Sequence, residues 1–180
     1  MLNLRDEIIA IDICNTIANI SEELNIRLGR NPDPNVYFHP GLVDKPNFFE
    51  ENLDIFLNAK PIGNSVEVLK QLSIHNHIMY ITARPKIAEF VTRVWLKKNG
   101  YPLSKIYFTN DKVEIASSLG ITLAIDDAPF EIERYINAGF KVLVKKQSYN
   151  SDFNNRFEWD DINYWRVVRS EKVEKSTRRE

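Results

Sequence analysis

Five polar positions close or follow short apolar runs in this chain: Asp12 ends Ile8-Ile9-Ala10-Ile11, Thr82 ends His77-Ile78-Met79-Tyr80-Ile81, Asp126-Asp127 end Ile121-Thr122-Leu123-Ala124-Ile125, and Lys112 opens a helical pattern just past Lys105-Ile106-Tyr107-Phe108-Thr109. Taken singly each is ordinary. An Asp at such a place is more often a helix cap or loop residue than a catalyst, Thr82 alone is uninformative, and a lone lysine is usually solvated. Taken together and in this order they describe one chemistry. Three carboxylates in one crevice repel one another unless a cation intervenes, and hard oxygen ligands without His or Cys partners favour Mg²⁺. A lysine beside them balances charge and holds a phosphate as a point cation.

These residues converge only if the elements beneath them form an open parallel sheet. The five apolar runs, with Phe140-Lys141-Val142-Leu143-Val144 as the last, have the profile of strands buried on both faces. Helical patterns lie between them at Ser65 to Leu72, Ile87 to Leu96 and Ile132 to Ala138, with Gly100 and Gly139 as stops. The alternation predicts an α/β fold, a mostly parallel sheet flanked by helices, and in such sheets ligands bind at the carboxyl ends of the strands where strand order reverses. One stretch interrupts it. Residues 17–64 show helical pieces at Ile20–Leu28 and Phe48–Leu57 around the turn-rich Arg30-Asn31-Pro32-Asp33-Pro34-Asn35, too long for an ordinary crossover. The expected organisation is a core of residues 1–16 and 65–168, a small helical cap at 17–64 inserted after the first strand, and a charged tail at 169–180.

Composition narrows the class. In 180 residues, 43% hydrophobic and 27% charged, 24 basic side chains meet 25 acidic ones, which gives no electrostatic reason to expect a nucleic-acid polymer or an anionic membrane as partner. No apolar run approaches the roughly 20 residues of a bilayer span, and the acidic start is unlike a secretory signal, so the expected location is cytoplasmic. One cysteine, Cys14, excludes an internal disulfide.

The ordered residues resemble the haloacid dehalogenase superfamily of Mg²⁺-dependent phosphohydrolases. Ile8-Ile9-Ala10-Ile11-Asp12-Ile13-Cys14-Asn15-Thr16 matches its Asp-x-Asp-x-Thr/Val motif, Tyr80-Ile81-Thr82-Ala83-Arg84-Pro85 its Ser/Thr motif, Lys112 its lysine, and Ala124-Ile125-Asp126-Asp127-Ala128-Pro129 its paired acid. More narrowly the chain is similar to the 5'(3')-deoxyribonucleotidase branch, in Thr109-Asn110-Asp111-Lys112, in Ile125-Asp126-Asp127-Ala128-Pro129, in a helical cap after the first motif, and in Tyr149-Asn150 followed by Arg156 to Trp159-Asp160-Asp161-Ile162. The resemblance implies a Rossmann-like core and hydrolysis of phosphate monoesters, with Asp12 as nucleophile forming an aspartyl-phosphate. It implies Mg²⁺ held by Asp12, the Cys14 main-chain carbonyl and one of the pair Asp126 and Asp127. It implies phosphate contacts from Thr82, the Ala83 backbone, Lys112 and, bidentate, Arg84. The implied substrate is a small phosphorylated molecule of (deoxy)nucleotide type; monomer and homodimer both stay open.

The departure is at Cys14, where the superfamily places the aspartate that protonates the leaving group. A thiol is a weaker acid and a poor donor. General acid–base catalysis contributes about 10²–10⁴-fold, so its loss lowers activity without abolishing it. Three readings follow: a phosphatase with reduced acid–base equipment, a hydrolase of other leaving groups as in the dehalogenases, or a phosphate- or nucleotide-binding regulatory protein. The cap aromatics Tyr37, Phe38, Phe48, Phe49 and Phe56 offer a stacking face for a base, although most are expected to form the cap's own core. His39, His75 and His77 lack metal-ligand partners, with His75 and His77 expected at the surface, and Trp95, Trp159 and Trp165 read as packing.

Overall fold

The computed structural model describes residues 4–29 and 32–161; the expected core limit at 168, the tail from 169 and Trp165 lie outside them. Six strands form one sheet: β1 (Ile8–Ile11), β2 (His77–Thr82), β3 (Ile106–Phe108), β4 (Leu123–Asp126), β5 (Lys141–Lys145) and β6 (Arg156–Phe157). The order is β3-β2-β1-β4-β5-β6, and every pairing is parallel. Order therefore reverses between β1 and β4, where Ile9 faces Leu123 and Ile11 faces Ile125. The carboxyl ends of these two strands carry Asp12 and Asp126.

Alternation along the strands sorts their side chains into two layers. Ile9 and Ile11 of β1, Ile78 and Tyr80 of β2, and Leu123 and Ile125 of β4 enter one cluster, whereas Ala10, Ile81 and Ala124 enter the other. The first layer is covered by α4 (Ser65–Leu72) and α5 (Glu89–Lys98), the second by α6 (Lys112–Ser118) and α7 (Pro129–Asn137). The inserted stretch supplies α1 (Ile20–Leu28), α2 (Phe48–Glu51) and α3 (Asp54–Asn58), and its Leu24, Phe48, Ile55 and Phe56 join the same cluster as Trp95 and Leu96 of α5. Its two ends are tied together by Asn19 N–H donating to Lys60 O and Ile62 N–H to Ile17 O, both at 2.9 Å.

Differences from the sequence reading are local. The expected helix Phe48–Leu57 is two short ones, interrupted at Asn52, whose side chain bonds back to Phe48 O and competes with the helical ladder. The helix expected from Ile87 begins as a 3₁₀ turn over Lys86–Ala88. Helix α7 starts at Pro129, three residues before the expected Ile132, because a proline fits the first helical position, where no amide donor is needed. Strand β6, two residues long, leaves no periodic signal. No helix among the described residues is long and apolar enough to cross a membrane.

Candidate active site

Asp12, Thr82 and Asp126 stand at the ends of three adjacent strands, and Lys112 is the first residue of α6. Lys112 Nζ, almost fully buried, lies 2.7 Å from Asp12 Oδ1 and 2.8 Å from Asp126 Oδ2. Carboxylate oxygens of Asp12, Asp126 and Asp127 all fall within 4.8 Å of one another. Asp126 Oδ1 accepts from Ala128 N–H at 3.0 Å, which orients its carboxylate beneath the site. Asp127 accepts from Thr16 Oγ1 at 2.6 Å and from the Tyr149 hydroxyl. Asn150 Nδ2 bridges Asp127 O and Lys145 O, so the loop after β5 holds the acidic pair from behind. Lys112 engages one Asp12 oxygen, Oδ1, and the Ile13 backbone N–H adds a hydrogen bond to the same carboxylate.

The electrostatics follow from crowding. Burial pushes Asp12 up to about 6, with Lys112 opposing and Asp126 adding to the rise. Asp127 is held well above the usual carboxylate range by burial and by the charges of Asp12 and Asp126, despite its bonds from Thr16 and Tyr149. Burial disfavours the Lys112 ammonium, but Asp12 and Asp126 together hold it well above its ordinary value. Three carboxylates and one ammonium leave excess negative charge in a buried space. An all-oxygen donor set with that excess fits a hard divalent cation such as Mg²⁺.

Above the carboxylates lies a cavity of about 170 Å³, lined by Asp12, Cys14, Thr82, Ala83, Arg84 and Lys112 on the sheet side and by Tyr37, Phe38, His39, Phe49 and Phe56 from the inserted stretch. Thr82 Oγ1 accepts the Arg84 N–H at 3.3 Å. The turn after Cys14 is made by Asn15 at a φ of 58°, a left-handed conformation asparagine tolerates, and its side chain accepts from both the backbone and hydroxyl of Ser21. Burial raises the Cys14 thiol above its ordinary value, with Arg84 pulling the other way.

All eight residues singled out in the sequence gather here, six on the cavity wall and Asp126 and Asp127 behind Asp12. Arg84 departs from its expected fork. Nε donates to Cys14 Sγ at 3.2 Å and Nη1 to Thr92 Oγ1 at 3.1 Å, leaving only Nη2. Of the cap aromatics, Phe48 and Phe56 are buried in the core cluster, as expected of packing residues. Phe38 is 68% exposed at the rim, its ring nearly parallel to that of Phe130 with centroids 6.1 Å apart. Tyr37 meets Phe38, Phe130 and Tyr149 edge-on.

Two features escaped the sequence. Tyr149 lies in a run already singled out, but its contact with Asp127 depends on the path of the chain after β5. His39 is 5% exposed and lines the cavity; Gly41 N–H donates to its Nδ1 at 3.0 Å, so Nε2 carries the proton, and it has no partner among the described residues. The short His-Pro-Gly turn is the only trace of it in the sequence.

Comparison with known proteins agrees with this geometry. The family described as "5' nucleotidase, deoxy (Pyrimidine), cytosolic type C protein" matches residues 35–171. A protein of Oceanobacillus iheyensis whose name contains the word nucleotidase is 33% identical over 125 residues, 63% of this chain and 66% of its own length. The match therefore spans just under two thirds of that relative. A nucleotidase of Clostridium acetobutylicum is 27% identical over 164 residues, covering 84% of this chain and 82% of its own. Among solved structures, a haloacid dehalogenase-like hydrolase from Streptococcus pneumoniae superposes with a TM-score of 0.60 at 12% identity, covering 89% of this chain and 98% of that one, and shares its fold. The sheet order, the acid-and-lysine cluster at the switch point and the matched family converge: the chain belongs to the cytosolic type C 5' nucleotidase family.

Proposed function

We propose that the protein is a Mg²⁺-dependent phosphohydrolase that removes phosphate from small nucleotide-type monoesters through an aspartyl-phosphate on Asp12. The observation that carries this reading is Asp12 itself: a buried carboxylate with one oxygen pinned by Lys112, at the floor of a cavity that also presents Thr82 and Ala83. Asp12, Asp126, Asp127 and the Cys14 main-chain carbonyl would hold Mg²⁺, which when bound neutralises charge on the phosphoryl oxygens.

The chain's own residues do the rest. Lys112 fixes the nucleophile and offers positive charge to the transferred group, and the Thr82 hydroxyl with the Ala83 backbone supplies donors for its equatorial oxygens. Splitting the displacement in two lets the Asp12 carboxylate do the difficult attack and leaves water the easier hydrolysis of an acyl phosphate. Residues 17–64 act as a cap that keeps bulk water from the reacting atoms, with Phe38 and Phe130 at its rim and His39 offering a neutral donor to the bound alcohol. Curated relatives named as nucleotidases favour a nucleotide as that substrate.

Purified protein with Mg²⁺ should hydrolyse 4-nitrophenyl phosphate and at least one nucleoside 5'-monophosphate, with turnover removed by EDTA and by Asp12→Asn. Absence of Mg²⁺-dependent turnover across a panel of nucleotides and aryl phosphates would refute the reading and leave phosphate binding without hydrolysis.

A further inference from the structure

The position where the superfamily carries its proton donor holds a thiol that does not act alone. Cys14 Sγ accepts a hydrogen bond from Arg84 Nε at 3.2 Å, while Arg84 Nη1 donates to Thr92 Oγ1 at 3.1 Å. The guanidinium lies 4.4 Å from the Phe56 ring centroid and 6.0 Å from that of Trp95. It is 4% exposed, yet no carboxylate among the described residues forms an ion pair with it. Its Nη2 is buried with no hydrogen-bond partner among the described residues, and the side chain lines the cavity that contains Asp12.

A buried cation without a counter-ion is costly, and a buried donor without an acceptor adds to that cost. The other cation of the site, Lys112, has two carboxylates; Arg84 has none among the described residues. The structure thus contains a charged donor in want of an anion, held beside the slot that faces the leaving group. We infer that Arg84 is a catalytic residue that stabilises the leaving group as an oxyanion, with Cys14 as the positioning residue that aims it. This rests on the phosphohydrolase reading and specifies how that site manages without an acid.

The chemistry balances without a protein proton. Asp12 forms a bond to phosphorus, and the bond from phosphorus to the ester oxygen breaks with its electron pair staying on that oxygen. The oxyanion pairs with Arg84 Nη2–H and then takes a proton from water, leaving hydroxide. A second water attacks the aspartyl-phosphate, its proton neutralises the hydroxide, and phosphate leaves with Asp12 restored. The guanidinium gives hydrogen bonds and not a proton, so it does not serve as the acid. It stabilises charge where charge develops, as an oxyanion-hole donor does. Substrates whose alcohol forms a stable oxyanion, phenols above all, are therefore preferred over simple alkyl esters.

The test compares kcat/KM of the Mg²⁺-loaded protein on 4-nitrophenyl phosphate, phenyl phosphate and a nucleoside 5'-monophosphate, for the unmodified chain, Arg84→Met, Cys14→Ser and Cys14→Val. Loss of one such donor costs about 10²–10³-fold where it bears the full developing charge. Arg84→Met should fall by that factor on phenyl phosphate and the nucleotide, and by no more than about tenfold on the nitrophenyl ester, whose leaving oxygen carries less charge. Cys14→Ser, which keeps an acceptor for Nε, should retain the unmodified order of substrates, and Cys14→Val should shift it toward that of Arg84→Met. Equal losses on all three esters would overturn this inference alone, by placing Nη2 on the transferred phosphoryl group. An unmodified chain inert on all three would overturn the hydrolase reading and this inference with it. Thermal unfolding without Mg²⁺ or substrate gives an independent readout. Arg84→Met should melt at or above the unmodified midpoint, since it removes an uncompensated charge, and a lower midpoint would mark the guanidinium as a structural strut and overturn the inference.

Discussion

Replacing Asp12 by Asn should stabilise the metal-free protein at neutral pH while leaving it unchanged in acid. The Asp12 carboxyl is pushed from 3.8 up to about 6 in the folded state, chiefly by burial. Between those values the folded chain holds a proton that the unfolded chain has released, so stability falls as pH rises through the window. The rise is on the order of 3 kcal/mol for this one group, present as stability below pH 4 and lost above pH 6. Asparagine is neutral at all these values and close in shape to the protonated acid. In urea unfolding with EDTA, Asp12→Asn should match the unmodified protein near pH 4 and exceed it by about 3 kcal/mol at pH 7. Saturating Mg²⁺ should reverse the ranking, because a bound cation rewards the ionised form; at a thousand times its Kd it adds about 4.1 kcal/mol to the protein that binds it. A gap that does not change with pH, or a variant less stable than the unmodified chain at pH 7 in EDTA, would refute the reasoning.

Further expectations concern the surrounding residues. Lys112→Met leaves three buried carboxylates without their ammonium and should cost about 3–5 kcal/mol at pH 7 by urea unfolding, a loss that added Mg²⁺ partly restores; a cost below about 1 kcal/mol would contradict the charge argument. Tyr149→Phe removes a donor to Asp127 and should weaken Mg²⁺ binding by calorimetry about 10–100-fold with the fold intact. Trp159→Phe strands Thr16 O, which now accepts from Trp159 Nε1 at 2.7 Å in a buried position, and should cost about 1–3 kcal/mol in the same unfolding assay. His39→Phe should raise KM for the nucleotide about tenfold with kcat little changed, and His39→Gln should recover part of it; an unchanged KM would remove Nε2 from substrate binding.

Much of the fold and the placement of the candidate site was legible because both rest on short-range rules. Strands buried on both faces write themselves as apolar runs, and Asp12, Thr82 and Asp126 are visible because each polar residue ends such a run. Lys112 could be placed because its helix begins with it. What stayed hidden depends on long-range docking. Tyr149 reaches Asp127 from 22 positions away, and nothing in its neighbours fixes that meeting. The short strand β6 exists only because β5 offers it an edge. Arg84 was expected to grip phosphate with a fork, but its partner Thr92 lies on α5 and Phe56 on α3, and their convergence is a matter of tertiary packing. His39 escaped because its tautomer is set by a turn amide two residues on.

The shared layer beneath the inserted stretch bears on how substrate gets in. Swinging α1 and α3 away from α5 as a body would expose Leu24, Ile55, Phe56 and Trp95 and break the bond from Trp95 Nε1 to Ala59 O at 2.6 Å. At about 1.5–3 kcal/mol for each side chain, such an opening costs roughly 6–12 kcal/mol and is populated less than about once in ten thousand molecules. For the proposed substrate the less costly route is the rim at Tyr37 and Phe38, held by edge-on ring contacts and the stack of exposed Phe38 on Phe130. Loop motions of that kind run in nanoseconds to microseconds, well ahead of hinge closure. Under the hydrolysis proposed above, entry and exit by that route would be uncoupled from the slow rearrangements that limit many capped enzymes, and bond breaking at the ester oxygen would set the pace.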